Sequence, residues 1–307
     1  MHILVVGPGA MGCLFAARLK KAGYDVGLID HDKERAEFIN RQGIRVEGIT
    51  GEYTEKVPVI IEAPPEPPDF VLICVKSYHT REAAKGIKQW IVPETVVVTL
   101  QNGAGNIEIL SELFGKENVL GGVTAEGATL LEPGRIRHAG QGETVIGPKG
   151  APDNPIEKIV FALNQAGFRS RSVRTVDDLI WGKLIINVGI NALTAITRLK
   201  NGRLPELDGT RRVMEQAVKE AVAVANAINI ELPYLDPVGR VMDVCRATSG
   251  NISSMLQDVL KERVTEVDFI NGAIVREGNR LGIPTPVNRS LTLLIQAIQE
   301  TYKDRIR

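Results

Sequence analysis

The segment HILVVGPGAMG, residues 2–12, decides the fold of the first half of the chain. It places three glycines between an apolar, strand-like run and the helical pattern AMGCLFAARLKKAG, residues 10–23. In such a turn the first glycine permits the tight bend, the second lets a pyrophosphate approach the backbone, and the third lets helix and strand pack closely. We therefore predict a dinucleotide-binding loop, formed by Gly7, Pro8, Gly9, Ala10, Met11 and Gly12. The alternative is a glycine-rich turn in an ordinary α/β unit.

Short apolar runs alternate with helical patterns after this loop. The runs are DVGLID (25–30), VPVII (57–61), FVLICVK (70–76), TVVVTLQN (95–102) and ETVIG (143–147). Continuous apolar strands separated by helices are typical of a parallel sheet that is covered on both faces. The predicted fold class is α/β, with an amino-terminal Rossmann-like, doubly wound parallel sheet.

The pattern changes near residue 175, where long helical segments take over. They span residues 177–199, 208–229, 236–247, 253–261 and 266–282. The polar segment RSRSVRTVDD, residues 169–178, separates the two patterns. We therefore predict a dinucleotide-binding domain over residues 1–172, followed by an all-α substrate and catalytic domain over residues 173–307.

The charge balance argues against a nucleic-acid-binding protein. The 307 residues include 37 Lys and Arg and 37 Asp and Glu, so the basic excess of such proteins is missing. The three cysteines have no metal-ligand spacing, and their odd number argues against a disulfide framework. We expect reduced core cysteines and no metal site.

The location of the protein is predicted from its apolar segments. HILVVG begins at residue 2 without a basic leader or a cleavage site, so we expect no secretory signal. We see no stretch of about 18 apolar residues, and we expect a cytoplasmic protein without a membrane span. The apolar segment AVAVANAI, residues 221–228, is a candidate surface for a homodimer.

The end of the second predicted strand bears on the choice of cofactor. Asp30 can accept hydrogen bonds from a ribose 2′-hydroxyl, which favours NADH. His31, Lys33 and Arg35 can instead gather around a 2′-phosphate while Asp30 turns away, which favours NADPH. These residues leave both cofactors open, and the alternative for the basic ones is a solvated turn and helix start.

Two polar residues follow later strands. Lys76 ends the run FVLICVK, and Asn102 follows TVVVTLQ in the segment QNGAG. Ligands of doubly wound sheets bind beyond the carboxyl ends of the strands, so both side chains are candidates for contact with cofactor and substrate. The alternatives are a solvated strand end for Lys76 and a left-handed turn at Asn102-Gly103.

The predicted helix WGKLIINVGINALTAI, residues 181–196, carries Lys183, Asn187 and Asn191 at a spacing of four. Steps of four drift by only about 40° on an α-helix, so the three side chains form one polar stripe in an apolar helix. A partly buried ammonium has a lowered pKa and is a suitable proton donor to a ketone that accepts hydride. The alternative is a lysine whose head reaches solvent, beside two asparagines that bond neighbouring backbone.

The segment NISSMLQDVLKERVTEVDFING, residues 251–272, contains further polar candidates. Ser253 or Ser254 can cap one helix, and Thr265 with Asp268 has the spacing of a capping box for the next. Glu266 is then expected in the first turn of that helix, where the dipole favours a carboxylate.

These motifs together resemble the ketopantoate reductase family, the 2-dehydropantoate 2-reductases of pantothenate biosynthesis. The resemblance spans essentially the whole chain and is carried by GPGAMG, Lys76, QNGAG, WGKLIINVGINALTAI, the NG at 201–202 and NISSMLQDVLKERVTEVDFINGAIV. One departure is His31, preceded by Asp30, because family members often carry an arginine for the 2′-phosphate at that position.

The resemblance implies roles for individual residues. Lys183 is the implied proton donor, and Asn102 touches both ligands. The implied substrate-binding residues are Asn187, Asn191, Asn201, Asn251, Ser254 and Glu266. Lys76, Ala128 and Glu266 are implied to lie at the cofactor, together with the glycine loop, Asp30 and His31.

The predicted function is reduction of the C2 ketone of 2-dehydropantoate to pantoate, with Lys183 protonating the nascent alkoxide. The resemblance favours NADPH, whereas Asp30 keeps NADH open. One rival is a paralogue that reduces another small 2-oxo acid. A second rival is a regulator that senses NAD(P)H without turnover, although loss of Lys183 or its amide partners is the expected signature of such a protein.

Overall fold

The computed structural model describes residues 1–149 and 156–304, which form two compact units. The first unit comprises Met1–Gln101 and Asn106–Val176, and the second comprises Asn102–Gly105 and the chain from Asp177 onward. The short segment Asn102–Gly105 therefore belongs to the second unit, although the chain on both sides of it belongs to the first. The division at residues 172 and 173 stays a prediction.

The first unit contains the strands β1 His2–Val6, β2 Asp25–Ile29, β3 Ile44–Gly48, β4 Tyr53–Glu55, β5 Val59–Ile60, β6 Phe70–Ile73, β7 Val96–Thr99, β8 Val119–Thr124, β9 Gly127–Glu132, β10 Arg135–Gly140, β11 Glu143–Pro148 and β12 Arg169–Ser172. Its helices are α1 Ala10–Lys21, α2 Lys33–Gln42, α3 Thr80–Ile87, α4 Asn106–Phe114 and α5 Ile156–Gln165. The predicted α/β fold class is confirmed, and all six predicted apolar runs contain strands of one sheet.

The large sheet has the strand order β12-β11-β8-β7-β6-β1-β2-β5. Strands β8, β7, β6, β1, β2 and β5 are parallel to one another, whereas β11 and β12 are parallel to each other and antiparallel to these six. The run ETVIG was expected to continue the parallel pattern, and the short connection through two intervening strands reverses it instead. Parallel strands β1, β6 and β7 end at the same edge, and this edge carries the glycine loop and the segments after β6 and β7.

A second sheet of four strands, in the order β4-β3-β10-β9, was not predicted. Its strands are short and polar, and β3 and β10 each alternate between buried and exposed residues. They bury one face only, so they lack the continuous apolar pattern that identified the large sheet. Helix α1 packs between this sheet and the large one, and eight of its residues are buried.

The second unit is helical, with α6 Asp177–Thr197, α7 Asp208–Ala227, α8 Pro237–Ala247, α9 Ser254–Leu260, α10 Asn271–Leu281 and α11 Pro286–Glu300. Its core is formed by apolar residues from all six helices. Helix α11 was not predicted; its exposed face carries the apolar residues Leu293 and Leu294. The segment AVAVANAI contributes Ala221, Val224 and Ala225 to this core, so these side chains are not available for a dimer surface.

Helix α6 has the length and composition of a membrane-spanning helix. Its apolar residues are interrupted by Lys183, Asn187 and Asn191, so it does not contain an unbroken apolar stretch of about 18 residues. Of its most apolar 18 residues, 67% are buried inside the protein. That burial is typical of the core helix of a soluble protein, in which the neighbouring helices cover the apolar faces.

Candidate active site

The glycine loop joins the end of β1 to the start of α1. Gly7 has φ +105°, and a side chain there would lie 2.7 Å from Cγ1 of Val75. A Cβ at Gly12 would overlap with the carbonyl oxygen of Gly7, so both positions require glycine for reasons of backbone shape and packing. These contacts account for the first and third glycines of the motif.

Gly9 differs from the other two glycines because a Cβ there would meet nothing within 4 Å. Gly9 precedes α1 and provides no side-chain cap, so the first-turn N–H groups at Ala10 and Met11 have no side-chain acceptor from this position. Open space above a helix amino terminus is suited to a pyrophosphate, which accepts hydrogen bonds from backbone N–H groups. The loop thus has the form that a bound dinucleotide needs.

Asp30 follows β2 and is bound to the first turn of α2. Arg35 donates from Nε to Oδ2 at 2.7 Å and from Nη2 to Oδ1 at 2.5 Å, while the backbone N–H of Asp32 donates to Oδ1 at 3.1 Å. The side chain of Asp30 is 0% exposed, whereas that of His31 is 92% exposed. The bond to Asp30 raises the pKa of Arg35, whose guanidinium is one third exposed. Asp30 and Arg35 were recognised as close in the sequence, but the ion pair between their side chains was not predicted.

Lys76 lies three residues beyond β6, where it precedes the 3-10 turn Ser77–His79. Its carbonyl oxygen accepts a hydrogen bond from the N–H of His79, and its side chain is partly exposed. The backbone beside it is fixed by Gln101, whose Nε2 donates to the carbonyl of Val75 at 2.7 Å. This contact ties the end of β7 to the end of β6.

A polar network that was not predicted from the sequence continues from Gln101. Its Nε2 also donates to Oγ1 of Thr80 at 2.9 Å, and Thr80 donates to Oδ1 of Asn106 at the start of α4. Asn106 in turn donates to Oγ of Ser77 at 3.3 Å. Thr80, Asn106 and Ser77 are buried, so the network fixes the loop that carries Lys76. The sequence feature that could have revealed this network is the presence of these polar residues close to the ends of β6 and β7.

Ala128 lies in the small sheet, on β9, where it pairs with His138 of β10. It packs against the apolar core of the first unit through contacts beside α1. The structure therefore places Ala128 on a different sheet from the glycine loop, with α1 as their common neighbour. Its predicted contact with a cofactor stays a prediction.

Lys183, Asn187 and Asn191 lie on α6 at successive steps of four, so they share one face of the helix. Lys183 and Asn187 are partly exposed, while Asn191 is 5% exposed. Burial lowers the pKa of Lys183 to about 8, and the negative charge of Glu266 partly opposes that shift. The ammonium is therefore desolvated next to a carboxylate, as a lysine that exchanges a proton near neutral pH requires.

Glu266 is 6% exposed and immediately precedes the 3-10 turn Val267–Phe269. The expectation that it lies in the first turn of a helix was wrong, because α10 begins only at Asn271. Ile270, with φ −109° and ψ −93°, is not helical and separates the turn from the helix. Thr265 and Asp268 also do not form the expected capping box. The side chain of Thr265 instead accepts a hydrogen bond from the N–H of Val267 at 3.3 Å.

Ser253 caps α9 by accepting a hydrogen bond from the N–H of Leu256 at 3.0 Å. Its hydroxyl also lies 2.7 Å from that of Thr194 on α6, which fixes α9 against the helix that carries the polar stripe. Ser254 is exposed and begins the helix, so the cap leaves its hydroxyl available. Of the two serines that were predicted as possible caps, Ser253 is the one that caps α9.

Asn201 and Asn251 are joined through the backbone. The N–H of Asn201 donates to the carbonyl of Asn251 at 3.0 Å, and Nδ2 of Asn201 donates to Thr248 at 2.9 Å. Oδ1 of Asn201 is buried and has no hydrogen-bond partner among residues 1–149 and 156–304. A buried amide oxygen without a partner is suited to receive a hydrogen bond from a ligand hydroxyl.

The segment Asn102–Gly105 packs against the turn that follows Glu266. The N–H of Ala104 donates to the carbonyl of Phe269 at 2.9 Å. Gly103 has φ +88°, and a Cβ there would overlap with the same carbonyl oxygen. The left-handed turn considered for this position is present, and the loop that carries Asn102 is bound to the helical unit that also carries Lys183 and Glu266.

The predicted site residues thus fall into two groups. The glycine loop, Asp30, His31, Lys76 and Ala128 lie in the first unit, and the remaining candidates lie in the second. Within the second unit, Lys183 interacts with Glu266, and the Asn102 loop contacts the turn beside Glu266. The described residues contain no cluster of three His, Cys, Asp or Glu side chains that could hold a metal ion.

Comparison with known proteins covers both units. Residues 3–150 match the family described as ketopantoate reductase PanE/ApbA, and residues 175–299 match its C-terminal family. The 2-dehydropantoate 2-reductase of Archaeoglobus fulgidus is 36% identical over 299 residues, which cover 97% of this chain and 98% of the relative.

Solved structures agree with this result over nearly the full length. A PanE/ApbA family ketopantoate reductase from Ralstonia eutropha has a TM-score of 0.90 at 33% identity and covers 99% of this chain and 100% of its own. A D-mandelate dehydrogenase solved with NADH and anilino(oxo)acetate has a TM-score of 0.91 at 28% identity, with the same two coverages. The chain therefore belongs to the ketopantoate reductase family.

Proposed function

We propose that the protein reduces the C2 ketone of 2-dehydropantoate to pantoate with a reduced nicotinamide dinucleotide, as a cytoplasmic step of pantothenate biosynthesis. The observation that carries the proposal is Lys183, whose pKa burial lowers to about 8 on the polar face of α6. Full-length relatives that are named 2-dehydropantoate 2-reductases support the substrate.

A bound reduced nicotinamide would supply the hydride that C2 of the substrate accepts. As the carbonyl oxygen gains negative charge, Nζ of Lys183 donates its proton to that oxygen, and the product is the 2-hydroxy acid. Lys183 then takes up a proton from solvent. Glu266 keeps the ammonium form populated near neutral pH, because its negative charge raises the pKa of Lys183 against the effect of burial.

The amides on the same helix face orient the substrate. Asn187 lies one turn beyond Lys183 and Asn191 two turns beyond it, so both can reach the polar groups around the reacting ketone. We assign further substrate contacts to Asn102, Asn201, Asn251, Ser254 and Glu266. The unpartnered Oδ1 of Asn201 supports this assignment, since a substrate hydroxyl would complete its hydrogen bonding.

The first unit fits a dinucleotide. The open space beside Gly9 and the uncapped first turn of α1 support pyrophosphate binding there. We assign further cofactor contacts to Lys76, Asn102, Ala128, His31 and Glu266. Gln101 and Thr80 hold the backbone next to Lys76 and thereby position it.

For the cofactor itself we propose NADPH in preference to NADH. Both carboxylate oxygens of Asp30 are bound to Arg35, and the Asp30 side chain is not exposed, which supports a role as an anchor rather than a ribose contact. Anchored in this way, Arg35 keeps part of its side chain exposed at the end of β2, where its Nη1 lies 4.0 Å from the carboxylate of Asp32. With His31 and Lys33 it provides local positive charge for a 2′-phosphate.

A second candidate function is reduction of another small 2-oxo acid with NADH. The structural match to a D-mandelate dehydrogenase that binds NADH favours it, although the identity is 28% there against 36% for the Archaeoglobus relative. A homodimer also stays a proposal, and it needs a surface other than the buried side of residues 221–228.

One assay tests both candidates. Oxidation of NADPH and of NADH is followed spectrophotometrically with 2-dehydropantoate, phenylglyoxylate and 2-oxoisovalerate as substrates. The proposal requires the highest kcat/KM for 2-dehydropantoate with NADPH. A higher kcat/KM for another 2-oxo acid would replace it, and binding of NADPH without oxidation by any substrate would indicate a nucleotide-sensing protein.

A further inference from the structure

The first unit contains a cavity of about 290 Å³ at the carboxyl end of α1, which we name the α1-end cavity. Its volume is close to the lower end of the range for small-molecule sites, roughly 300–1,000 Å³. The lining residues come from the end of α1 and the residue after it, from the β3–β4 connection and the start of β4, and from the end of α5 and the two residues after it. They are Arg18, Lys21, Ala22, Thr50, Tyr53, Gln165, Ala166 and Gly167.

The charge of the α1-end cavity is positive. Its two charged lining residues, Arg18 and Lys21, are both cations, and no lining residue is acidic. Tyr53 and Gln165 add a hydroxyl and an amide, which can donate hydrogen bonds to an anion, and Thr50 adds a hydroxyl that is also bonded to Nδ1 of His138 at 3.0 Å. Lys21 is exposed, and its Nζ lies 3.7 Å from the centre of the Tyr53 ring, so the aromatic face holds the ammonium at the cavity wall.

Arg18 is the unusual member of the lining. Only 7% of it is exposed, and its Nη1 is buried without a hydrogen-bond partner in the part of the chain that the structure describes. Nε donates to the carbonyl of Ala166 at 3.0 Å, and the guanidinium stacks 4.1 Å from the centre of the Phe168 ring. These contacts fix the plane of the guanidinium and leave the N–H groups of Nη1 without an acceptor.

The immediate surroundings do not neutralise Arg18. No carboxylate of the described residues lies within 4.0 Å of its guanidinium. The nearby carboxylate that raises its pKa, Glu126, is instead bonded to His138 at 2.6 Å. Burial has the larger and opposite effect and lowers the pKa of Arg18. A desolvated guanidinium without a close counter-ion is stabilised by an anion that binds beside it.

The α1-end cavity is separate from the dinucleotide loop. The loop lies at the amino end of α1 and the cavity at its carboxyl end, and a helix of 12 residues is about 18 Å long. The carboxyl end of a helix carries negative partial charge and does not itself attract anions. Attraction must therefore come from the two side chains, Arg18 and Lys21.

We propose that the α1-end cavity binds a small anionic metabolite, whose carboxylate or phosphate lies between Arg18 and Lys21 and whose polar groups contact Thr50, Tyr53 and Gln165. Such a ligand contacts the same helix whose first turn faces the dinucleotide. The inference does not depend on which ketone the protein reduces.

The test is a calorimetric titration of the full-length protein with inorganic phosphate and, separately, with succinate. Saturating NADP⁺ is present throughout, so that the phosphate-binding end of α1 is occupied and cannot contribute. We expect one site with a dissociation constant of about 1 mM or lower for one or both anions. Binding of phosphate alone or of succinate alone identifies the anionic group that the cavity takes.

Two variants locate the binding event. Lys21→Gln removes an exposed cation from the cavity wall, and Ala22→Leu narrows the cavity without a change of charge. We expect Lys21→Gln to weaken binding by about tenfold or more, because one charge-assisted contact is lost, and Ala22→Leu to weaken it by about tenfold or more, because the larger side chain occupies the space of the ligand. Lys20→Gln is the matched control, because it removes the same charge from the same helix end at a residue that does not line the cavity, and it should change binding less than twofold.

Three results would overturn the proposal. They are no binding of either anion to the wild-type protein up to about ten times the expected dissociation constant, an equal loss in Lys20→Gln and Lys21→Gln, and unchanged binding in Ala22→Leu. The equal loss would show general attraction to a basic helix end rather than a site. Melting temperatures of the variants, measured without anions, confirm that each is folded.

Discussion

Arg35 binds both carboxylate oxygens of Asp30, at 2.7 Å from Nε and 2.5 Å from Nη2, across the junction between β2 and α2. Asp30 would repel a 2′-phosphate and Arg35 would attract one, and the two side chains are bound to each other. Asp30 is fully covered while Arg35 is one third exposed, so of these two side chains only that of Arg35 can contact a ligand at this junction. Cofactor preference is therefore expected to depend on Arg35.

Arg35→Gln is expected to lower kcat/KM for NADPH by about tenfold, which corresponds to roughly 1.5 kcal/mol for a hydrogen bond to a charged group. The value for NADH should change much less, because a free ribose offers no 2′-phosphate. The ratio of the two efficiencies is the readout, since it cancels any general effect on folding. Arg41→Gln, at an exposed arginine on the same helix, is the control. An unchanged ratio in Arg35→Gln would remove Arg35 from phosphate recognition.

Lys183→Ala is expected to reduce kcat by roughly 10²-fold or more, the contribution of a positioned general acid. The dissociation constant of the dinucleotide, measured by fluorescence titration, should stay within a factor of about two, because the glycine loop is untouched. Lys219→Ala, at an exposed lysine of α7, serves as the matched control. Near-normal turnover in Lys183→Ala would assign proton donation to another group.

The pH dependence of kcat follows from the pKa of Lys183, which is about 8. Below that pH the ammonium is protonated and can donate, and above it the donor is lost, so kcat should fall on the alkaline side. Glu266 raises this pKa, so Glu266→Gln should lower it and move the alkaline limb to lower pH. Glu262→Gln, at an exposed position in the same segment, should leave the limb in place. A limb that moves to higher pH in Glu266→Gln would contradict the pairing.

Asn191→Ala is expected to raise KM for the 2-oxo acid by an amount that corresponds to about 1–3 kcal/mol, the cost of a buried polar partner left unsatisfied. KM for the dinucleotide should be unchanged. Asn226→Ala on the exposed side of α7 provides a comparison for the loss of an amide. If both kinetic constants of Asn191→Ala equal those of the wild type, Asn191 does not contact the substrate.

Two glycines of the loop should respond differently to alanine. Gly9→Ala puts a methyl group into open space, so the melting temperature should hold while dinucleotide affinity falls by about tenfold or more. Gly12→Ala overlaps with the backbone of Gly7 and should destabilise the protein by about 1–3 kcal/mol, measured by denaturant unfolding. Gly86→Ala on α3 also meets open space and is the control. Equal dinucleotide affinity in Gly9→Ala and wild type would refute the pyrophosphate assignment.

The sequence predicted the parts of the fold that depend on local pattern. The glycine motif, the apolar strands of the large sheet and the start of α6 could be recognised, because each is specified by neighbouring residues. The small sheet could not, since its half-exposed strands have no continuous apolar run. Its strands β3 and β10 also pair across a long stretch of chain, which a local pattern does not contain.

The candidate site shows the same limit. The spacing of Lys183, Asn187 and Asn191 predicted a polar helix face, but not the electrostatic partner that modifies the pKa of Lys183. The turn before α10 displaced Glu266 from the expected helix because Ile270 adopts a backbone conformation that spacing cannot reveal. The side chains of Gln101, Thr80 and Asn106 meet only after three separate segments have folded together.

The short segment Asn102–Gly105 has a consequence for biosynthesis of the protein. Its anchor is the carbonyl of Phe269, which leaves the ribosome long after the rest of the first unit has been made. During translation the parallel sheet can form around this segment, but the segment itself reaches its final position only when the helical unit emerges. We therefore expect a nascent or truncated chain that ends near residue 176 to expose residues 102–105 to protease, and the complete chain to protect them.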